Sequence, residues 1–250
     1  MKRPPLGQHM LVDEGVLAMI IDSIAPQQED VFVEVGPGTG CLTEALLKSG
    51  AEVYATERDG KLAAQLPERL GSLGRRLHLT VADAVVELAQ PANRSWRLAG
   101  NIPYQISSPL LLNMCNCPPL QDAHVLVQLE FARRAAASAG SRVYGRLSVM
   151  LQAFHEVEVM FTVDPEAFSP PPRVDSALLR LRPRTQPPQL AASPEFSEIV
   201  RRAFGQRRKQ LANALGDYAR FAGDYGKMRP EQLAVDDFLN ITARARQAQC

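Results

Sequence analysis

Apolar positions recur along the first two thirds of this chain with two alternating periods. Over residues 13–25, Val16, Leu17, Ile20, Ile21 and Ile24 share one face at helical spacing. Val31-Phe32-Val33-Glu34-Val35 follows as a short β-rich run stopped by glycine, the pattern of a strand buried on both faces of a parallel sheet. The same reading predicts a helix over 40–49, a strand at Glu52–Glu57, a helix through Leu62, Leu66 and Leu70, and a strand at Leu77–Val81 that ends near Asp83. Trp96-Arg97-Leu98-Ala99-Gly100 leads into Asn101, 107–115 reads as helix, His124–Leu129 as a fifth strand and Leu147–Phe154 as helix. Val157–Val163 and Ser176–Leu181 alternate in character and are expected to form a terminal hairpin.

Strands and helices taken in turn imply a doubly wound α/β sheet. The pattern changes near Pro183. Residues 183–194 hold Pro183, Pro187, Pro188 and Pro194 and read as a linker, and beyond them only helical periodicity remains. The expectation is therefore a Rossmann-like catalytic domain over 1–183 and a small helical domain over 184–250.

With 250 residues, 46% hydrophobic and 22% charged, the chain can bury a sizeable core, which excludes a disordered protein. No stretch approaches the roughly 20 apolar residues of a bilayer span. The start, Met1-Lys2-Arg3-Pro4-Pro5, lacks the apolar core of a secretory signal, so a cytoplasmic monomer without membrane contact is expected. Cys115 and Cys117 form a C-x-C pair with no second pair beside it; with Cys41 and Cys250 they read as free thiols, and no metal is expected.

Net charge is only +1, yet it is unevenly placed. Residues 185–250 hold 10 Lys+Arg against 7 Asp+Glu. Arg133, Arg134, Arg142 and Arg146 lie in one acid-free stretch, and Arg201, Arg202, Arg207, Arg208 and Lys209 in another. Each cluster alone suits a solvated helix face; both together favour a polyanion bound on one side of the protein. From these, Arg133, Arg134, Arg146, Arg207, Arg208 and Lys209 are the candidate contacts to such a polyanion.

Gly36-Pro37-Gly38-Thr39-Gly40 would let backbone approach a ligand beyond the carboxyl end of a strand. Such a turn could equally serve a dinucleotide, or only turn the chain. Glu57, closing the second strand, could accept both ribose hydroxyls of an adenosine, and Asp83 could accept from its adenine amine; either could instead cap a helix. About 60 residues after the glycines comes Asn101-Ile102-Pro103-Tyr104. The exocyclic amine of adenine is a poor nucleophile because its lone pair is delocalised. The Asn101 oxygen and the Pro103 carbonyl could each accept an amine hydrogen and steer the lone pair outward, while Tyr104 stacks on the base. Methyl transfer from S-adenosylmethionine is then a matter of positioning. The alternative is a proline turn with a buried tyrosine. Phe168, before the proline-stiffened Ser169-Pro170-Pro171-Pro172 loop, could supply a second aromatic face to sandwich a flipped base, or merely plug the core.

These motifs resemble the ribosomal RNA adenine dimethyltransferase family. The resemblance runs through Gly7-Gln8-His9-Met10-Leu11, Glu34–Gly38, Glu57, Asp83, Asn101–Tyr104, Tyr144-Gly145-Arg146-Leu147-Ser148-Val149 and Phe168–Ser176. The last two segments, with Gln206–Lys209, resemble the small-subunit branch. The resemblance implies cofactor contacts from His9, Leu11, Gly36, Glu57, Asp83 and Asn101, joined by Gly38 of the glycine turn, and an adenine held by Asn101, Tyr104 and Phe168. It further implies that two adjacent adenosines near the 3′ end of small-subunit ribosomal RNA are dimethylated on an immature subunit, the helical domain helping to seat the enzyme. Two positions depart from the family: His9 stands where asparagine is usual, and Gln105 follows the catalytic tyrosine. A large-subunit resistance methyltransferase, a DNA adenine methyltransferase and an assembly factor without catalysis stay open as alternatives.

Overall fold

The computed structural model describes residues 9–91, 93–114, 120–185 and 188–248. Met1 to Gln8, Cys115, Cys117, Pro187 and Cys250, named above, lie outside them. The chain divides into two compact units, one comprising residues up to 132 with 158–182, the other 133–157 with residues from 183 onward.

The first unit is built on β2 (Val31–Val35), β3 (Glu52–Glu57), β4 (Leu77–Val81), β5 (Trp96–Asn101) and β6 (Leu120–Gln128), which run parallel in the order β4-β3-β2-β5-β6. β9 (Ser176–Pro183) joins β6 antiparallel, and β7 (His155–Val163) completes the sheet beyond it. A further pair links β1 (Met10–Leu11) to β8 (Phe168–Ser169). Every residue of β2 is buried, Glu34 among them, as expected of a strand covered on both faces. The helices α1 (Glu14–Ile24), α2 (Cys41–Lys48), α3 (Gly60–Leu70) and α4 (Ser107–Asn113) fall where apolar spacing placed them. Caps fix two of the starts: Asp13 accepts from Val16 N at 2.9 Å, and Asp59 accepts from Lys61 N at 2.8 Å.

The second unit gathers α6 (Arg146–Phe154), α7 (Pro194–Gly205), α8 (Leu211–Ala214) and α9 (Val235–Gln247), with short 3-10 turns between them. Between the units in sequence, α5 (Leu129–Ala135) spans the boundary. The second unit resumes at Pro183, next to the expected border, and also takes in residues 133–157. Named contacts show why. The Arg207 guanidinium donates to the Arg142 carbonyl at 2.7 Å, Gly140 N donates to the Glu231 carbonyl at 2.6 Å, and the Tyr144 ring meets Phe204 edge-on at 6.0 Å. The Tyr144–Val149 motif is thus structural here. Tyr144 is buried, and the Ser148 hydroxyl accepts from Gly145 N while donating to the Arg134 carbonyl.

Candidate active site

In the sheet order β4-β3-β2-β5-β6 the connections lead outward in one direction from β2 and in the other from β5. Such a reversal opens a crevice beyond the carboxyl ends of those two strands. Gly36, Gly38 and Asn101 are all placed there by β2 and β5. Gly38 has φ +55°, a left-handed conformation that favours glycine, and a Cβ on it would stand 2.7 Å from the sulfur of the Met10 side chain, which would have to shift. Gly36 N donates to the Thr56 carbonyl and Gly40 N to that of Pro37, which closes the turn.

Glu57 is 2% exposed. Its Oε2 accepts from Gly38 N at 3.0 Å and its Oε1 from Asp59 N at 2.8 Å, so the carboxylate splints the glycine turn to the end of β3. A carboxylate has about four acceptor directions, and two remain for a ligand. Asp83 Oδ1 accepts from Val85 N at 3.0 Å and so closes a turn rather than capping a helix; Oδ2 lies 3.6 Å from the Arg58 guanidinium. Glu57 and Asp83 both line a cleft of about 510 Å³ with Val35, Gly36, Ala84 and Ile106. A second cleft, of about 390 Å³, runs from Glu57 and Gly38 to Asn101, Tyr104 and His9.

At the end of β5 the Asn101 side-chain NH2 donates to the His9 carbonyl at 2.7 Å, which leaves the side-chain oxygen as acceptor. Pro103 lines both clefts, but its carbonyl already accepts from Ile106 N at 3.0 Å and from the Ser107 hydroxyl at 3.5 Å. A further amine hydrogen would share that oxygen with Ile106 N and take the place of the long Ser107 contact. Tyr104 is half-buried, with its hydroxyl on Ser176 Oγ at 2.8 Å; burial raises the phenol above its ordinary value and keeps it neutral.

Phe168 also departs from expectation. Its ring is 2% exposed and packs in the core with Leu11, Leu126, Val163 and Leu178. The ring stacked on Tyr104 is that of His9, at 5.8 Å between centroids and 27° between planes. Leu11, expected at the cofactor, is 6% exposed and sends its side chain into the same core. The alternation of apolar residues hid both, since a two-residue pairing has no period to read. Ser176 and Met10 were likewise not singled out, though each lies within a motif segment.

A further pocket at the glycine turn is lined by Glu34, Cys41, Asn101 and His124, among others. Burial pushes the Glu34 carboxyl up to about 7, and burial lowers His124 to about 4. Glu34 Oε2 and both His124 ring nitrogens have no hydrogen-bond partner.

The chain matches the model of the family described as ribosomal RNA adenine dimethylase over residues 1–244. It is 46% identical to a ribosomal RNA small subunit methyltransferase A of Xylella fastidiosa, covering 94% of this chain and 92% of that protein. A protein of the same name from Nitrosococcus oceani is 42% identical over 99% of this chain and 97% of its own length. The chain belongs to the ribosomal RNA adenine dimethylase family. The fold agrees. A dimethyladenosine transferase from Plasmodium falciparum superposes with a TM-score of 0.85 at 26% identity, covering 96% of this chain and 98% of that one. The 23S rRNA methyltransferase ErmE does so at 0.73 and 27%, covering 95% and 100%.

This dimethylase therefore takes its methyl group from S-adenosylmethionine, and the crevice suits that donor. A backbone cradle that a Cβ at Gly38 would fill, a buried carboxylate at one side of an apolar cleft and a second carboxylate farther along match a nucleoside with a polar sugar and an amine-bearing base. Among the described residues no cluster of His, Cys, Asp or Glu could hold a metal, and no helix is long and apolar enough to cross a membrane. In the second unit Arg133, Arg134, Arg142, Arg146, Arg208 and Lys209 are exposed. Arg207 is engaged with the Arg142 carbonyl and lies 3.7 Å from Glu231, and Arg201 and Arg202 both pair with Glu198.

Proposed function

We propose that this protein dimethylates N6 of two adjacent adenosines near the 3′ end of small-subunit ribosomal RNA, acting on an immature small subunit. The observation that carries the reading is Asn101: its amide is anchored on the His9 carbonyl at 2.7 Å, beside the Tyr104 ring and at the open end of the sheet. The small-subunit name shared by relatives 38–46% identical supports the choice of RNA.

In this reading Gly36, Gly38, Glu57 and Asp83 hold S-adenosylmethionine, with His9 and Leu11 bordering it. The donor supplies an electrophilic methyl group. Tyr104 holds the adenine, and the Asn101 oxygen accepts one hydrogen of its amine. That hydrogen bond turns the lone pair out of conjugation and toward the methyl. The amine nitrogen gains the carbon, and its surplus proton leaves to water, so orientation rather than a strong base provides the acceleration. Exposed Arg133, Arg134, Arg146, Arg208 and Lys209 contact RNA phosphate, while Arg207 supports the loop that carries Arg142.

Transfer of labelled methyl groups to small subunits lacking dimethyladenosine, with large subunits as control, tests this. Label recovered as dimethyladenosine in small-subunit RNA alone is expected. Label only in large-subunit RNA would move the protein to the resistance type. Binding without label would leave an assembly factor.

A further inference from the structure

Three contacts converge on His9, and its neighbour Met10 is fixed as well. The imidazole stacks on Tyr104 at 5.8 Å and 27°, and Nδ1–H donates to the Pro170 carbonyl at 2.7 Å. The His9 carbonyl receives the Asn101 amide, and the next residue, Met10, is pinned beside Gly38 and paired with Ser169. Tyr104 is the fixed partner of the stack, because its hydroxyl is held by Ser176. The His9 ring is held only by the Pro170 carbonyl beside the stack, and giving up that one bond would let it turn about its own side-chain bonds while the backbone contacts of His9 to Asn101 and of Met10 to Ser169 stay in place.

A base sandwiched between two rings needs about 7 Å between their planes, twice a carbon–carbon contact of about 3.5 Å. The 5.8 Å separation of His9 from Tyr104 is smaller. Phe168 is buried at 2% and its ring packs in the core, so the ring now lying on Tyr104 is that of His9. We propose that His9 is a displaceable cover of the base site, its imidazole holding the face of Tyr104 until an unpaired adenine of the RNA takes that place. His9 thereby helps to set specificity: only a base whose stacking and contact with Asn101 outweigh one ring pair and one hydrogen bond is admitted. The inference rests on the reading of Asn101 and Tyr104 as the adenine site.

The test uses the full chain and an RNA hairpin carrying two unpaired adenosines, with uridines in their place as control. The protein has only four histidines, so the His9 ring resonances can be assigned by comparison with His9→Asn. On addition of the adenosine hairpin, the His9 signals are expected to lose the ring-current shift from Tyr104, while the uridine hairpin leaves them. His9→Ala and His9→Asn, which remove the ring, should bind the adenosine hairpin about five- to hundredfold more tightly, the size of one stacked pair and one neutral hydrogen bond. His9→Phe, which keeps a ring, should not. Weaker or unchanged binding by His9→Ala, or unmoved His9 signals with bound adenosine hairpin, would overturn the proposal. These readouts need no methyl transfer, so a failed methylation assay would count against the proposed function without deciding this point.

Discussion

At its amino end β5 offers Arg97, and at its carboxyl end Asn101; the same strand serves both, yet their surroundings differ in kind. Arg97 donates to Asp30 and to both oxygens of Asp122 at 2.8 Å, and to the Ile24 carbonyl at 2.7 Å, with its charge also 5.2 Å from the Phe32 ring. That network is closed: charge is neutralised and strands β2, β5 and β6 are tied to the end of α1. At the other end acceptors stay open, on the Asn101 oxygen and on Glu57, and a carboxyl at Glu34 lies buried with one oxygen unpartnered. A polar cluster that satisfies itself is a fastening, and one that leaves valences open toward a crevice is available for chemistry.

Substitutions should separate the two ends. Arg97→Ala leaves two partly buried carboxylates without their cation and should cost about 3 kcal/mol of stability. Chemical denaturation checks it, and the folded fraction should keep its turnover. Asn101→Ala should do the reverse, slowing methyl transfer about 10²- to 10³-fold with little change in melting temperature, as loss of one positioned hydrogen-bonding group does. Loss of activity in Arg97→Ala at full folding, or a large drop in the stability of Asn101→Ala, would erase the contrast.

Glu34 sharpens the comparison through pH. Its unfolded carboxyl ionises near 4.5, whereas in the folded protein burial holds the proton to about 7. The folded state thus binds more protons across that window, and stability falls as pH rises through it. Glu34→Gln should match the wild type near pH 5 and exceed it by up to about 3 kcal/mol at pH 8. Denaturation curves at the two pH values decide this, and a gain independent of pH would refute the buried-carboxyl account. The smallest effect is expected from Tyr104→Phe. It frees the Ser176 hydroxyl and should raise the KM for RNA about two- to fivefold, with kcat nearly kept, since the ring remains.

Much of this was legible in residues. The run Val31–Val35, the glycine turn, Glu57 and Asn101–Tyr104 announced the sheet, the switch-point crevice and the family, because strand period and backbone chemistry are local properties. What was hidden depends on distant chain returning to the site. Met10–Leu11 and Phe168–Ser169 meet across a large separation in two-residue strands, so nothing in either segment foretells that His9 faces Tyr104 while Phe168 turns into the core. Nor can the local 3-10 bond that the Pro103 carbonyl accepts from Ile106 be seen in composition. That residues 133–157 group with the C-terminal helices was hidden for a similar reason: helical pattern marks α6 but does not say which unit it packs with.

The most direct test of the site is the dimethyladenosine content of small-subunit RNA after incubation with S-adenosylmethionine and either wild-type or Asn101→Ala protein, matched for folded fraction. Dimethyladenosine formed by the wild type and nearly absent with Asn101→Ala is the expected result. Equal dimethyladenosine from both would contradict the assignment of the chemistry to the open end of β5.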